Sequence, residues 1–185
     1  MATKQRSPSR CTASRPRTKA RARPALKTVP NEIAARYRTG QERKVRDALA
    51  PFGSVETYPL RRMVVLHRAP GVASARVQAA LDDLQRVKLV EFVTPVLLDP
   101  DSNSRQVLTD EIVLRLKPGR THRTLAALKA KHGIRIGRRN EFEPSQYIVK
   151  VPRPSGTQTL DVARSLDRSD DVEFASPNFL TEIKR

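Results

Sequence analysis

Part of this chain is written twice. Asn31-Glu32-Ile33-Ala34-Ala35-Arg36 is echoed by Asp110-Glu111-Ile112-Val113-Leu114-Arg115, and Gly40 and Gly119 follow at the same offset of 79 residues. Further on, Val90-Glu91-Phe92-Val93-Thr94-Pro95 is matched by Val172-Glu173-Phe174-Ala175-Ser176-Pro177, at an offset of 82. Three extra residues in the second copy reconcile the two offsets. A repeat of this period means one small supersecondary unit used twice, which restricts the fold more than any propensity does.

The same elements are expected between the matched ends. In the second copy, Ile112, Leu114 and Leu116 alternate with polar residues as in a half-buried strand, stopped by Pro118-Gly119. Leu125 and Leu128 then share a helix face, with Thr121 placed to cap it and Gly133 to end it. Strands are expected at Ile134 to Phe142 and Tyr147 to Val151, the latter broken by Pro152 and Pro154. A second helix from about Thr157 to Asp167 and a strand from Val172 to Phe179 complete the unit. In the first copy the strands are expected at Glu32 to Arg38, Val55 to Leu60, Met63 to His67 and Val90 to Leu98. Val45, Ala48, Leu49 and Phe52, then Val77, Ala80, Leu81 and Leu84, have the spacing of helix stripes.

The fold class is therefore α+β: two tandem β-α-β-β-α-β units of the ferredoxin-like kind, at residues 31–98 and 110–185. Residues 99–109 are expected to be a linker. Both helices of such a unit pack on one sheet face and leave the other open to bind something.

Charge sets the N-terminus apart. The net charge is +17, and residues 1–30 hold nine of the 36 basic residues and none of the 19 acids. Mixed with Ser, Thr, Pro and Ala, they cannot build a core, so 1–30 is expected to be a disordered basic arm. The one cysteine, Cys11, lies in that arm and offers no disulfide framework or metal cluster. No apolar run is long enough to span a membrane or serve as a secretion signal, which makes the cytoplasm the expected location.

Little in the sequence suits catalysis. His67, His122 and His132 have no Ser or Cys positioned beside them, and no Gly-x-Ser-x-Gly turn or phosphate-binding glycine loop occurs. Asp82-Asp83 and Asp170-Asp171 fall near the ends of the second helices, where solvated acids are ordinary. A non-enzymatic protein without cofactor or metal is expected. An RNA-recognition module would stack bases on aromatics of its central strands, yet only Tyr147 stands there. Nucleic acid remains an alternative partner through the arm, by way of Arg15, Arg17, Lys19, Arg21 and Arg23.

A family resemblance enters through the second copy. Val172-Glu173-Phe174-Ala175-Ser176-Pro177-Asn178-Phe179 resembles the closing strand of subtilisin-family prodomains, of the pattern Val-x-Tyr/Phe-Ala/Val-Glu-Pro-Asn-Tyr/Phe. Glu111 to Gly119, ending Lys117-Pro118-Gly119, is similar to their opening strand. The likeness, closest to the fervidolysin-like class, covers about residues 110–181 and, more faintly, 31–98. It implies a prodomain-like module that binds, inhibits or assists folding of a subtilisin-like serine protease, in trans or originally in cis. On that resemblance the partner-binding residues are Phe174, Ser176, Pro177, Asn178 and Phe179. The tail Leu180, Thr181, Glu182, Ile183, Lys184 and Arg185 would lie product-like in the protease cleft, paired as an added strand. Ser176 stands where the family has an acid, and Glu173 and Glu182 are the residues that would compensate. No catalytic motif of a subtilase is found, so the expectation is a prodomain with no protease attached.

Overall fold

A computed structural model describes residues 26–120 and 122–181 of the chain. In order the elements are β1 (Lys27–Tyr37), α1 (Glu42–Leu49), β2 (Gly53–Tyr58), β3 (Met63–Arg68), α2 (Ser74–Arg86) and β4 (Val90–Asp99). There follow β5 (Ser104–Leu116), α3 (His122–His132), β6 (Arg135–Arg139), β7 (Gln146–Lys150), α4 (Gln158–Asp167) and β8 (Val172–Thr181). All strand pairs are antiparallel, in one sheet ordered β2-β3-β1-β4-β5-β7-β6, with β8 on β5.

The strand register repeats residue for residue between the two halves. Ile33 lies opposite Pro95 as Ile112 lies opposite Pro177; Ala35 faces Val93 as Leu114 faces Ala175; Arg36 faces Phe92 as Arg115 faces Phe174. Even the bulge recurs, skipping Glu91 between Phe92 and Val90 and Glu173 between Phe174 and Val172. A bulge places an extra residue on one strand and re-aims its side chain. The two glutamates thereby reach equivalent arginines, Arg36 at 3.5 Å and Arg115 at 3.3 Å.

Each half has its own helix-side core. In the first, Val45 and Leu49 of α1 and Val77, Leu81 and Leu84 of α2 pack on Ala35, Tyr37, Val64 and Leu66. In the second, Leu125, Leu128, Ala163 and Leu166 pack on Ile112, Leu114, Tyr147 and Val149. The apolar stripes predict these faces well, although Ala48 is exposed: Pro51 ends α1 and turns the chain into a single 3-10 turn, Ala50–Phe52. Gly53 then starts β2 so close to β3 that a Cβ there would sit 2.0 Å from the His67 carbonyl oxygen.

Three expected boundaries move. β1 begins at Lys27, inside the segment read as a basic arm, because Lys27 and Thr28 pair with Leu98 and Leu97 while Val29 packs on an apolar cluster. The expected linker 99–109 is mostly strand: its turn is only Pro100 to Asn103, and Val107 and Leu108 are buried. Asp99 holds that turn by accepting from the Asp101 amide at 3.0 Å and the Ser102 hydroxyl at 2.9 Å. β6 is shorter than expected, ending at Arg139. Residues 1–25, the cap expected at Thr121 and the tail residues 182–185 lie outside the described residues.

Candidate functional site

The β5–β8 pair carries the described residues that the sequence singles out. Phe174 shares a face with Arg115, and Ser176 with Val113 and Ile148, on the side of the sheet away from α3 and α4. Phe174, Val113 and Ile148 are half-buried and Ser176 is exposed. This is an accessible, mildly apolar surface rimmed by charge.

Asn178 reaches the same face: its side-chain amide donates at 3.1 Å to Oε2 of Glu111, which alternates with Val113, and its backbone carbonyl accepts from the Thr109 hydroxyl at 2.7 Å. Glu111 also pairs with Lys150 at 3.2 Å. Burial raises the Glu111 pKa, but the hydrogen bonds from Asn178 and Lys150 outweigh it and hold the carboxyl below its usual range. Asn178, expected as a partner contact, also ties β8 to β5 through its bond to Glu111. Pro177, opposite Ile112, is likewise a half-buried part of that pair.

The expectation that the closing strand ends at Phe179 is corrected as well. β8 continues to Thr181, with Leu108 opposite Phe179, Val107 opposite Leu180 and Gln106 opposite Thr181. Leu180 packs on a cluster of the first half made by Ala34, Met63, Val65, Phe92 and Val96. Phe179, Leu180 and Thr181 border a cavity of about 290 Å³ with Tyr58, Arg61 and Arg105. Leu180 and Thr181 are therefore sheet residues and not part of a free tail. Glu182, Ile183, Lys184 and Arg185, and the arm cations Arg15, Arg17, Lys19, Arg21 and Arg23, lie outside the described residues.

The face opposite the helices was expected to be open in both halves. In the first it is closed: Ala34, Met63, Val65, Phe92, Thr94 and Val96 are all buried, with Val107 and Leu180 of the second half packed on the same cluster. Arg36 reinforces the junction by donating to Asp110.

Two surface features escaped the sequence reading. Leu60 and Phe142, 82 residues apart, are 100% and 96% exposed at the tips of the β2–β3 and β6–β7 turns. Because β1 and β5 are both antiparallel to β4, both tips lie at the same end of the sheet. An apolar residue inside an otherwise polar turn, as in Glu141-Phe142-Glu143, is the signal that would have found them.

Of the three histidines, His67 has carboxylate neighbours. His67 lies 3.3 Å from Glu32 and 3.4 Å from Glu56, while His122 and His132 stand at the two ends of α3. Burial, and then Lys131, lower the His132 pKa. Among the described residues no three His, Cys, Asp or Glu side chains are grouped to hold a metal, and no helix is long and apolar enough to cross a membrane.

No family model matches the chain. Over 143 residues, 77% of its length, it is 24% identical to a calcium-dependent protease of Nostoc sp. and 23% identical to a calcium-dependent protease of Trichormus variabilis. The matched region spans 22% of each of those proteins. Among solved structures, the small subunit of acetolactate synthase from Thermotoga maritima aligns with 83% of the chain and 96% of its own, at 13% identity and a TM-score of 0.27.

Proposed function

We propose that the two halves are tandem copies of one β-α-β-β-α-β module of the subtilisin-prodomain type, and that the chain binds a subtilisin-like serine protease as an inhibitor or folding aid. The observation that carries this reading is the accessible outer face of the second half, around Val113, Ile148, Phe174 and Ser176, in the half with the prodomain-like closing strand. The match to two proteases over about a fifth of their length supports a protease-associated role. The residue-for-residue register supports the duplication.

The physics of inhibition follows from that face. Half-buried apolar side chains there lose their remaining water against the protease, while the backbone beyond Thr181 pairs in the cleft like an added strand. The inserted segment begins at Glu182, since Leu180 and Thr181 are already paired to β5. A titration of a subtilisin-like protease with the whole chain tests this. Submicromolar inhibition is expected, weakened at least tenfold by Phe174→Glu and by removal of residues 182–185. If the intact chain slows no such protease and speeds the refolding of none, the reading is wrong.

A further inference from the structure

A second recess lies at the junction of the halves, where β4 parts from β5 and β7 takes its place along β5. The cleft is about 780 Å³ and is lined by six cationic side chains, those of Arg38, Arg86, Lys88, Arg135, Lys150 and Arg153. Three acids also line it, and all are engaged. Glu91 is held by Arg36 and Arg62, Asp110 by Arg36, and Asp82 accepts from Gln78. Arg86 pairs with Asp83 and Lys150 with Glu111. Arg38, Lys88, Arg135 and Arg153 have no ion-pair partner among the described residues, and all four are exposed.

The backbone at Arg153 adds an independent observation. Pro152-Arg153 follows β7 as Pro70-Gly71 follows β3, at the same offset of 82. Gly71 has φ 81, a conformation that glycine adopts freely. Arg153 takes the left-handed conformation too, at φ 47, where a side chain costs about 1 kcal/mol. Lys88 is also left-handed, at φ 60. Two of the four unpaired cations thus sit on backbone that disfavours them, facing one recess.

We infer that this junctional cleft binds a compact, multiply charged phosphate anion through Arg38, Lys88, Arg135 and Arg153. Its size suits a small ligand rather than a polymer. No accessible aromatic lines it to stack a base, as Phe92 is only 2% exposed. Four cations on four separate segments match an anion with several phosphate groups, arginine supplying paired donors. Because the segments come from both halves, the bound anion would clamp the halves together.

The test is calorimetric titration of inorganic tripolyphosphate into the full chain, with Arg15, Arg17, Lys19, Arg21 and Arg23 changed to Gln so that the arm does not contribute. One anion per chain is expected, with affinity falling as salt rises. Arg38→Gln should weaken binding about tenfold, the scale of one charge-assisted hydrogen bond. Arg153→Gly should weaken it similarly while raising Tm, which separates lost binding from lost folding. Arg76→Gln, exposed on α2 away from the cleft, should change neither. Binding that vanishes with the arm substitutions, or that survives Arg153→Gly unchanged, overturns the assignment. So does a duplex oligonucleotide held more tightly through the same residues.

Discussion

The outer faces of the two halves are built on the same strands in the same register, yet one is core and the other surface. Phe92 and Phe174 occupy equivalent places opposite Arg36 and Arg115, but Phe92 is buried and Phe174 half-buried. Val65 is buried where Ile148 is half-buried, and Thr94 is buried where Ser176 is exposed. The first half keeps water off its outer face with residues lent by the second, Val107 and Leu180. Nothing among the described residues performs that service for the second half. A half of this size buries little surface alone, so packing the outer face of one half against residues of the other is a direct route to stability. It also leaves the outer face of the second half accessible.

The contrast is easiest to break at the two phenylalanines. Phe92→Ala should cost about 3–5 kcal/mol in chemical denaturation and Phe174→Ala under about 1 kcal/mol. Equal losses would mean that both faces are closed in solution. Leu180→Ala tests the covering residue itself and should cost about 1–2 kcal/mol. It should also speed hydrogen exchange at Met63 and Val65 of the first half more than at Tyr147 and Val149 of the second. Uniform acceleration would show that Leu180 does not seal the first half.

A smaller contrast lies on the helix side, where Val77 of α2 is matched by Thr159 of α4, both fully buried. The Thr159 hydroxyl has no hydrogen-bond partner among the described residues. A buried unsatisfied hydroxyl is destabilising, so Thr159→Val should raise stability by about 1 kcal/mol, read as a higher denaturation midpoint. The smallest effect is in acid. Glu111 has a lowered folded-state pKa, so it contributes stability above its ordinary value of 4.5 that is lost as pH falls through the folded value. Glu111→Gln should flatten the decline in stability below about pH 4.5 by a few tenths of a kcal/mol, since the pair is partly solvated. An unchanged pH profile would remove Glu111 and Asn178 as the clasp between β5 and β8.

Much of the architecture was legible because it is local. Val45 and Leu49, or Val77, Leu81 and Leu84, announce buried helix faces by spacing alone, and the paired motifs announce the repeat. The boundaries that failed are those set by distant partners. Lys27 and Thr28 become strand through Leu98 and Leu97, and Val107 through Val96 and Leu180. The bond from the Asn178 amide to Glu111, 67 positions away, is likewise set by a distant partner.

The sequence alone determined the paired motifs, the order of strands and helices and the apolar side of each helix. Those properties follow from periodicity and turn chemistry within a few residues. Val-Glu-Phe occurs at both 90–92 and 172–174, so the local sequence cannot tell a core phenylalanine from a surface one. Tertiary structure decided that difference by bringing Val107 and Leu180 onto one face. It also gathered Arg38, Lys88, Arg135 and Arg153, scattered along the chain, around one cleft. Burial and electrostatic field depend on what lies within a few ångströms in space, and for these residues that is set by chain far away in sequence.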